Sequence, residues 1–239
     1  MNVTAIAIVN LAYFALVFLT SKWSAARAKP MGLRRVMQAY NLLCVGLAFY
    51  VVQGIARYKL GHNMGTFICN PMDLSTPEGK YLARVIWVYY AQKYVELLDT
   101  FIFIARQSWR QLTFLHVYHH SSITVVTALF LAFDVNGDCV VTAALLNAFV
   151  HVLMYSHYFL SSLGIKTWWR RYLTKIQLLQ FVICWVQPVA AYFAGPACGY
   201  PDFLKVLMIV YQTTMMVLFA HFYRKAYKSR SRKDKESQD

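Results

Sequence analysis

Three histidines, His116, His119 and His120, open the otherwise apolar stretch "FLHVYHHSSITVVTALFLAF" from residue 114 to residue 133. On a helix the i, i+3, i+4 spacing sets all three on one face within the first turns. Imidazole at such density serves two chemistries. It can ligate a metal, or it can act directly as nucleophile and proton carrier, because a neutral histidine can attack an activated acyl group to give an acyl-imidazole as reactive as a thioester. Other polar groups sit inside neighbouring apolar runs. "KYVELLDT" holds Lys93, Glu96 and Asp99 at three-residue steps along one ridge, and "NAFVHVLMYSHY" holds Asn147, His151, Tyr155 and Tyr158 at steps of four, four and three. "TKIQLLQF" brings Lys175, Gln177 and Gln180.

The elements that carry these groups are long and apolar. Of the 239 residues 59% are hydrophobic and 14% charged, against about 25% charged in an ordinary soluble domain, and the mean hydropathy is positive. The composition implies a membrane protein. Seven runs reach the roughly 20 residues that a helix needs to cross the hydrocarbon layer: 3–20, 36–55, 82–105, 114–133, 139–162, 173–193 and 204–223. The first has no basic leading region and no small-residue cleavage site, and reads as a retained span rather than a signal peptide. The expected fold is therefore all-α and polytopic, with seven transmembrane helices enclosing a tunnel-like chamber open to the cytosol. Residues 1–223 form the membrane domain, followed by a basic, disordered tail over 224–239.

Lys and Arg fix an expected orientation. The loops after the first, third and fifth runs and the tail carry 17 of them, including Arg34, Arg106, Arg110, Lys166, Arg170 and Arg171, whereas the alternate loops carry only Arg57, Lys59 and Lys80. With the positive side inside, the N-terminus is lumenal and the C-terminus cytosolic. The net charge of +14 thus lies on one membrane face, which suits topology and anionic headgroups and gives no ground for nucleic acid. On this map Cys69 and Cys198 fall in lumenal loops, where an oxidising compartment permits a disulfide between them. The polar groups of four runs meet at one depth near the cytosolic side. Ionisable residues inside a membrane mark a reaction site or pathway.

Among metal enzymes, membrane desaturases and hydroxylases hold two irons with eight or more histidines in several boxes. This chain has seven histidines and one box, so a single metal on a few histidines and Glu96 or Asp99 is the version left open. A seven-span receptor or transporter, binding without turnover, is the other alternative.

The four stretches, in this order, resemble the KxxExxDT, HxxHH, NxxVHxxMY and TxxQxxQF motifs of the ELO-type very-long-chain fatty acid elongases, over about residues 80–185. The resemblance implies a 3-ketoacyl-CoA synthase, an acyltransferase of the endoplasmic reticulum membrane that condenses a long acyl-CoA with malonyl-CoA, releasing carbon dioxide and CoA, with neither metal nor other cofactor. Carried over by motif, it points to Lys93, Glu96, Asp99, His116, His119, His120, Asn147, His151, Tyr155, Gln177 and Gln180. In that frame His119 is the nucleophile, His151 the acid-base group, and Asn147 or a glutamine the oxyanion donor, with Arg106, Arg110, Arg170 and Arg171 near the CoA phosphates. Expected partners are acyl-CoA, malonyl-CoA, the bilayer, and the reductases and dehydratase of the elongation cycle; a homodimer stays open. Gln111 and Val117 around the box resemble the polyunsaturated-chain branch. His157 stands where many relatives carry an aromatic residue, and reads as peripheral. Cys184, with no base at helical spacing, reads as packing.

Overall fold

A computed structural model describes residues 3–61, 72–133, 138–195 and 201–236, the side chains of 3, 138–139 and 225–236 excepted. Cys69 and Cys198 lie outside these residues. The described residues are helical: α1 (Val3–Ala25), α2 (Arg34–Gly61), α3 (Pro77–Glu96), α4 (Leu98–Ala105), α5 (Phe114–Ala132), α6 (Asp138–Ser162), a 3₁₀ turn (Trp168–Tyr172), α7 (Leu173–Phe193) and α8 (Asp202–Glu236). Six of them, α1, α2, α5, α6, α7 (with the turn before it) and α8, are long and apolar enough to cross a membrane. Their outward faces carry large apolar side chains, such as Leu11, Phe18, Leu43, Leu179 and Val210. A bilayer is the solvent that suits such faces.

The run expected to be one helix from 82 to 105 is instead two. At Leu97 the backbone takes a tighter, three-residue step: Leu97 N–H donates to the Tyr94 carbonyl (3.2 Å) and Thr100 N–H to the Leu97 carbonyl (3.3 Å). The charges that make this run chemical also keep it less apolar than its neighbours. The last helix continues through the basic stretch to Glu236, where an irregular tail was expected; after Pro201 the sequence contains neither glycine nor proline to stop it.

Helix ends are fixed locally. Thr76 caps α3 by accepting the Gly79 N–H (3.0 Å), with Pro77 at the first helical position. Thr113 caps α5 by accepting the His116 N–H at 3.2 Å, which sets the start of the histidine face. α6 ends in a Schellman turn through Gly164 (φ +86°), with Ile165 N–H on the Leu160 carbonyl and Gly164 N–H on that of Ser161. α4 ends in the same turn, yet the left-handed position is Gln107 (φ +53°). A non-glycine residue there is strained, and Gln107 is held by its own amide, which donates to the Ser24 (2.8 Å) and Arg27 (3.1 Å) carbonyls at the end of α1. That clamp joins α1 to α4.

Packing then brings the polar helices together. α2 lies against α6 and α3, α7 against α8 and α6, and α1 against α4 and α5. The α2–α3 approach is so close at Gly54 that an added Cβ would meet Val85 Cγ2 at 2.6 Å. Apolar clusters surround the polar centre. One joins α5, α7 and α8 through Ile123, Phe181, Met208 and Met215; another joins α2, α3 and α6 through Val51, Val85, Tyr89 and Ala144.

Candidate active site

α3 and α4 run beside α6 with the same sense, and their side chains meet in three rungs. Lys93 Nζ donates to Asn147 Oδ1 (2.7 Å), Glu96 Oε1 accepts from His151 Nδ1 (2.7 Å), and Asp99 Oδ2 accepts the Tyr155 hydroxyl. Steps of three on one strand of this ladder match steps of four on the other, because the tighter turn at Leu97 keeps Asp99 facing α6. All six side chains are buried.

Glu96 is the hub. Besides His151 its carboxylate accepts from Lys93 Nζ (3.0 and 3.2 Å) and from Gln92 Nε2 (2.8 Å), so a buried charge is fully ligated by donors. Because the carboxylate accepts at Nδ1, the His151 proton is at Nδ1, and Nε2, with Asn147 Nδ2 at 3.4 Å, keeps its lone pair. Asn147 is itself fixed in this orientation, since its Oδ1 accepts from both Lys93 and the Tyr89 hydroxyl (3.2 Å). A carboxylate-oriented imidazole of this kind is built to accept and return a proton.

The histidine face of α5 closes the site from the other side. The His116 and His120 ring centroids are 4.3 Å apart, and those of His119 and His120 5.4 Å. His119 Nδ1 lies 3.4 Å from the Tyr211 hydroxyl on α8, and the residue is within electrostatic reach of His151, Lys93 and Glu96. Among the described residues no three His, Cys, Asp or Glu side chains gather to hold a metal ion. The histidine nearest Glu96 spends its Nδ1 on that carboxylate.

Two cavities flank the ladder. The wider one, about 510 Å³, opens at the basic end between the 30–34 loop, Tyr40, Asp99, Arg106, Gln111 and Ser161. The narrower one, about 50 Å³, begins at His119, Asn147 and Gln180 and continues between apolar side chains of five helices, among them Ile86, Val126, Ala144, Cys184 and Met208. Lys93, Glu96, Asp99, Asn147, His151, Tyr155 and the three histidines thus come together as expected. Gln180 reaches the narrow cavity, whereas Gln177 turns to Met154 Sδ (4.0 Å). Arg106 lines the wide cavity; Arg110, Arg170 and Arg171 are exposed and line neither. His157 is indeed off the site, bonded to Thr167. Tyr89, Gln92 and Tyr211 also belong to the site without standing in any of the four motifs, while Thr100 closes the first motif and Arg34 is one of the basic loop residues. Tyr89 and Gln92 were within reach of the sequence reading, each standing four residues before a ladder residue on the same face.

A family model for the GNS1/SUR4 (ELO) family matches residues 1–235. The chain belongs to this family. Its relatives include very long chain fatty acid elongase 2 of Mus musculus, 33% identical over 228 residues covering 93% of this chain and 76% of the mouse protein. Elongase 5 of Xenopus laevis is 34% identical over 239 residues, covering 95% and 78%. Elongase 4 of Homo sapiens is 32% identical over 223 residues, covering 90% and 69%. In this ELO-family protein the ladder of α3, α4 and α6 and the histidine face of α5 are what three of the four ordered motifs become in space, and α7 carries the fourth.

Proposed function

We propose that this protein is a fatty acid elongase that condenses acyl-CoA with malonyl-CoA to give a 3-ketoacyl-CoA two carbons longer. The observation that carries the reading is the carboxylate-oriented His151 and the histidine face of α5, set between a wide cavity with basic side chains and a narrow apolar one, in a chain of this family. The wide cavity takes the CoA head, with Arg34 and Arg106 on its phosphates. The narrow cavity takes the acyl chain. At about 50 Å³ it has room for no more than a few waters, so the chain enters only as the side chains of α5 to α8 move apart.

His119 donates its Nδ1 proton to the Tyr211 oxygen, and its Nε2 lone pair attacks the acyl thioester. The carbon–sulfur bond breaks, the acylated ring gives up its Nδ1 proton, His151 passes one proton to the CoA sulfur so that CoA leaves as the thiol, and a neutral acyl-imidazole remains. Malonyl-CoA then loses carbon dioxide, and the resulting enolate carbon attacks the acyl carbon. The acyl–nitrogen bond breaks and the departing ring takes up one proton, the proton that the overall condensation consumes, which restores the neutral imidazole. His151 moves the proton at the thiol, and Gln180 or Asn147 donates to the oxyanion of each tetrahedral intermediate. The reaction uses no metal.

α3 and α4 together supply a seventh crossing, with the basic end in the cytosol and the N-terminus in the lumen of the endoplasmic reticulum. There the product passes to the reductases and dehydratase of the elongation cycle. Polyunsaturated acyl-CoA is the preferred substrate, following the residues around the box. The test is purified protein with radiolabelled malonyl-CoA and a panel of saturated and polyunsaturated acyl-CoAs. Label is expected in 3-ketoacyl-CoA, undiminished by chelator. Turnover without malonyl-CoA, or its loss with chelator and recovery with iron, would overturn the reading.

A further inference from the structure

α1 turns most of its surface outward. Among its described side chains only Ile6, Tyr13 and Ser24 are buried, and Ser24 belongs to the clamp at the end of α4, its hydroxyl donating to the Ile104 carbonyl (2.6 Å). Tyr13 is different, because its hydroxyl reaches 2.8 Å from Thr100 Oγ1 and Thr100 Oγ1 lies 2.9 Å from His116 Nε2. Thr100 is fully buried on α4, one residue beyond the Asp99 rung. The tyrosine ring is held edge-on to Phe101 at 6.0 Å, and the His116 ring is packed on Phe103 at 5.0 Å. A hydrogen-bonded line therefore runs from the outermost helix to the first histidine of the box.

We infer that Tyr13 and Thr100 are positioning residues for the condensation proposed above: they fix the His116 ring, and with it one end of the packed ring cluster His116–His120–His119 that carries the nucleophile. His120 makes the dependence plain. It is buried, its Nδ1 has no hydrogen-bond partner among the described residues, and its ring packs against those of both His116 and His119. A ring that no hydrogen bond fixes at Nδ1 follows its neighbours. Both neighbours are held from outside the box, His119 by the Tyr211 hydroxyl at 3.4 Å and His116, at the shorter distance of 2.9 Å, by Thr100. Thr100 has one proton and two lone pairs, enough to serve Tyr13 and His116 at once, and its methyl fixes the rotamer. The inference rests on the elongase reading for what is measured, though not for the geometry.

Four variants test it: Tyr13→Phe, Thr100→Val, Thr100→Ser and the pair Tyr13→Phe with Thr100→Val. The first two each remove one hydroxyl at nearly constant volume, Thr100→Ser keeps the hydroxyl and loses the methyl, and the pair removes both hydroxyls. Losing a buried positioning bond worth about 1 kcal/mol at the transition state lowers kcat about fivefold to tenfold. Tyr13→Phe and Thr100→Val are expected to show that loss with KM for both CoA substrates within twofold, Thr100→Ser to restore kcat to within about twofold of the parent, and the pair to be no slower than Thr100→Val alone. A second readout needs no turnover. Diethyl pyrocarbonate should modify His116, followed by peptide mass spectrometry, several-fold faster in Thr100→Val than in the parent or in Thr100→Ser. Unchanged kcat in Thr100→Val, equal damage from Thr100→Ser, or additive losses in the pair would overturn the inference in a parent that condenses. Should the parent show no condensation, the elongase reading fails instead, and His116 labelling at one rate in all variants overturns the positioning role independently.

Discussion

Glu96 and Lys93 offer the sharpest energetic test of the ladder. Both side chains are within 1% of full burial, and their bonds are short: 3.0 and 3.2 Å to each other, with Lys93 also on Asn147 at 2.7 Å and Glu96 also on His151 at 2.7 Å and Gln92 at 2.8 Å. Removing one charge leaves the other buried without its counter-charge, which costs about 3–5 kcal/mol. Glu96→Gln lies at the upper end, since the Lys93 ammonium then faces only neutral oxygens. Lys93→Met lies nearer about 3 kcal/mol, because Gln92 and His151 still donate to the carboxylate. Lys93→Met combined with Glu96→Gln removes both charges at similar volume and should come within about 1 kcal/mol of the parent, so the coupling between the sites is about 3 kcal/mol or more. In a thermal-unfolding series in one detergent, each single variant should melt roughly 10 °C lower and the pair close to the parent. The pair should nonetheless lack activity, because Glu96 also holds the His151 proton at Nδ1. Additive losses, with a coupling under about 1 kcal/mol, would refute the idea that these residues form one buried ionic unit.

Other consequences concern single contacts. Cys184→Ala should leave condensation within a few-fold of the parent in a radiolabel assay, because Cys184 lines the apolar cavity; loss of all activity would point to thiol chemistry. Ala144→Phe, at a fully buried position on that cavity, should abolish elongation of long acyl-CoA at a folded protein's elution volume, since the phenyl ring exceeds the free space. Gln107→Ala removes two hydrogen bonds from the side-chain amide that hold a left-handed residue, and should lower stability by about 1–3 kcal/mol in a denaturation series, with Gln107→Gly recovering part through its backbone alone. Tyr155→Phe leaves Asp99 without its donor from α6, and should cost about 1–3 kcal/mol of stability along with at least tenfold in kcat.

Much of this was legible in the chain before any coordinates. Apolar length gave six of the helices, and the i, i+3, i+4 spacing placed the three histidines on one face, because helical periodicity is a local property. Lys93, Glu96 and Asp99 were readable as one ridge for the same reason. Three things were not readable. The step at Leu97 depends on a three-residue hydrogen-bond pattern that "ELLDT" does not advertise, and it divides a run that hydropathy counts as one. The rungs themselves are contacts between residues 54 to 56 positions apart, which only packing decides. Arg110, Arg170 and Arg171 shared a charge and a membrane face with Arg34 and Arg106, yet only the latter two line the wide cavity, since a basic loop shows its side of the bilayer and not its distance from a site. Tyr13 is the extreme case. One tyrosine in an outward-facing helix carries no periodic signal, and its role emerges from the clamp that brings α1 against α4.

The most direct measurement omits malonyl-CoA. Purified protein incubated with acyl-CoA alone, followed by intact-mass and peptide mass spectrometry, should release about one equivalent of CoA and gain one acyl mass on the peptide bearing His119. Addition of malonyl-CoA should then discharge the adduct as 3-ketoacyl-CoA, and His119→Ala should form none. An acyl group found on Cys184, or full condensation activity in His119→Ala, would contradict the acyl-imidazole route.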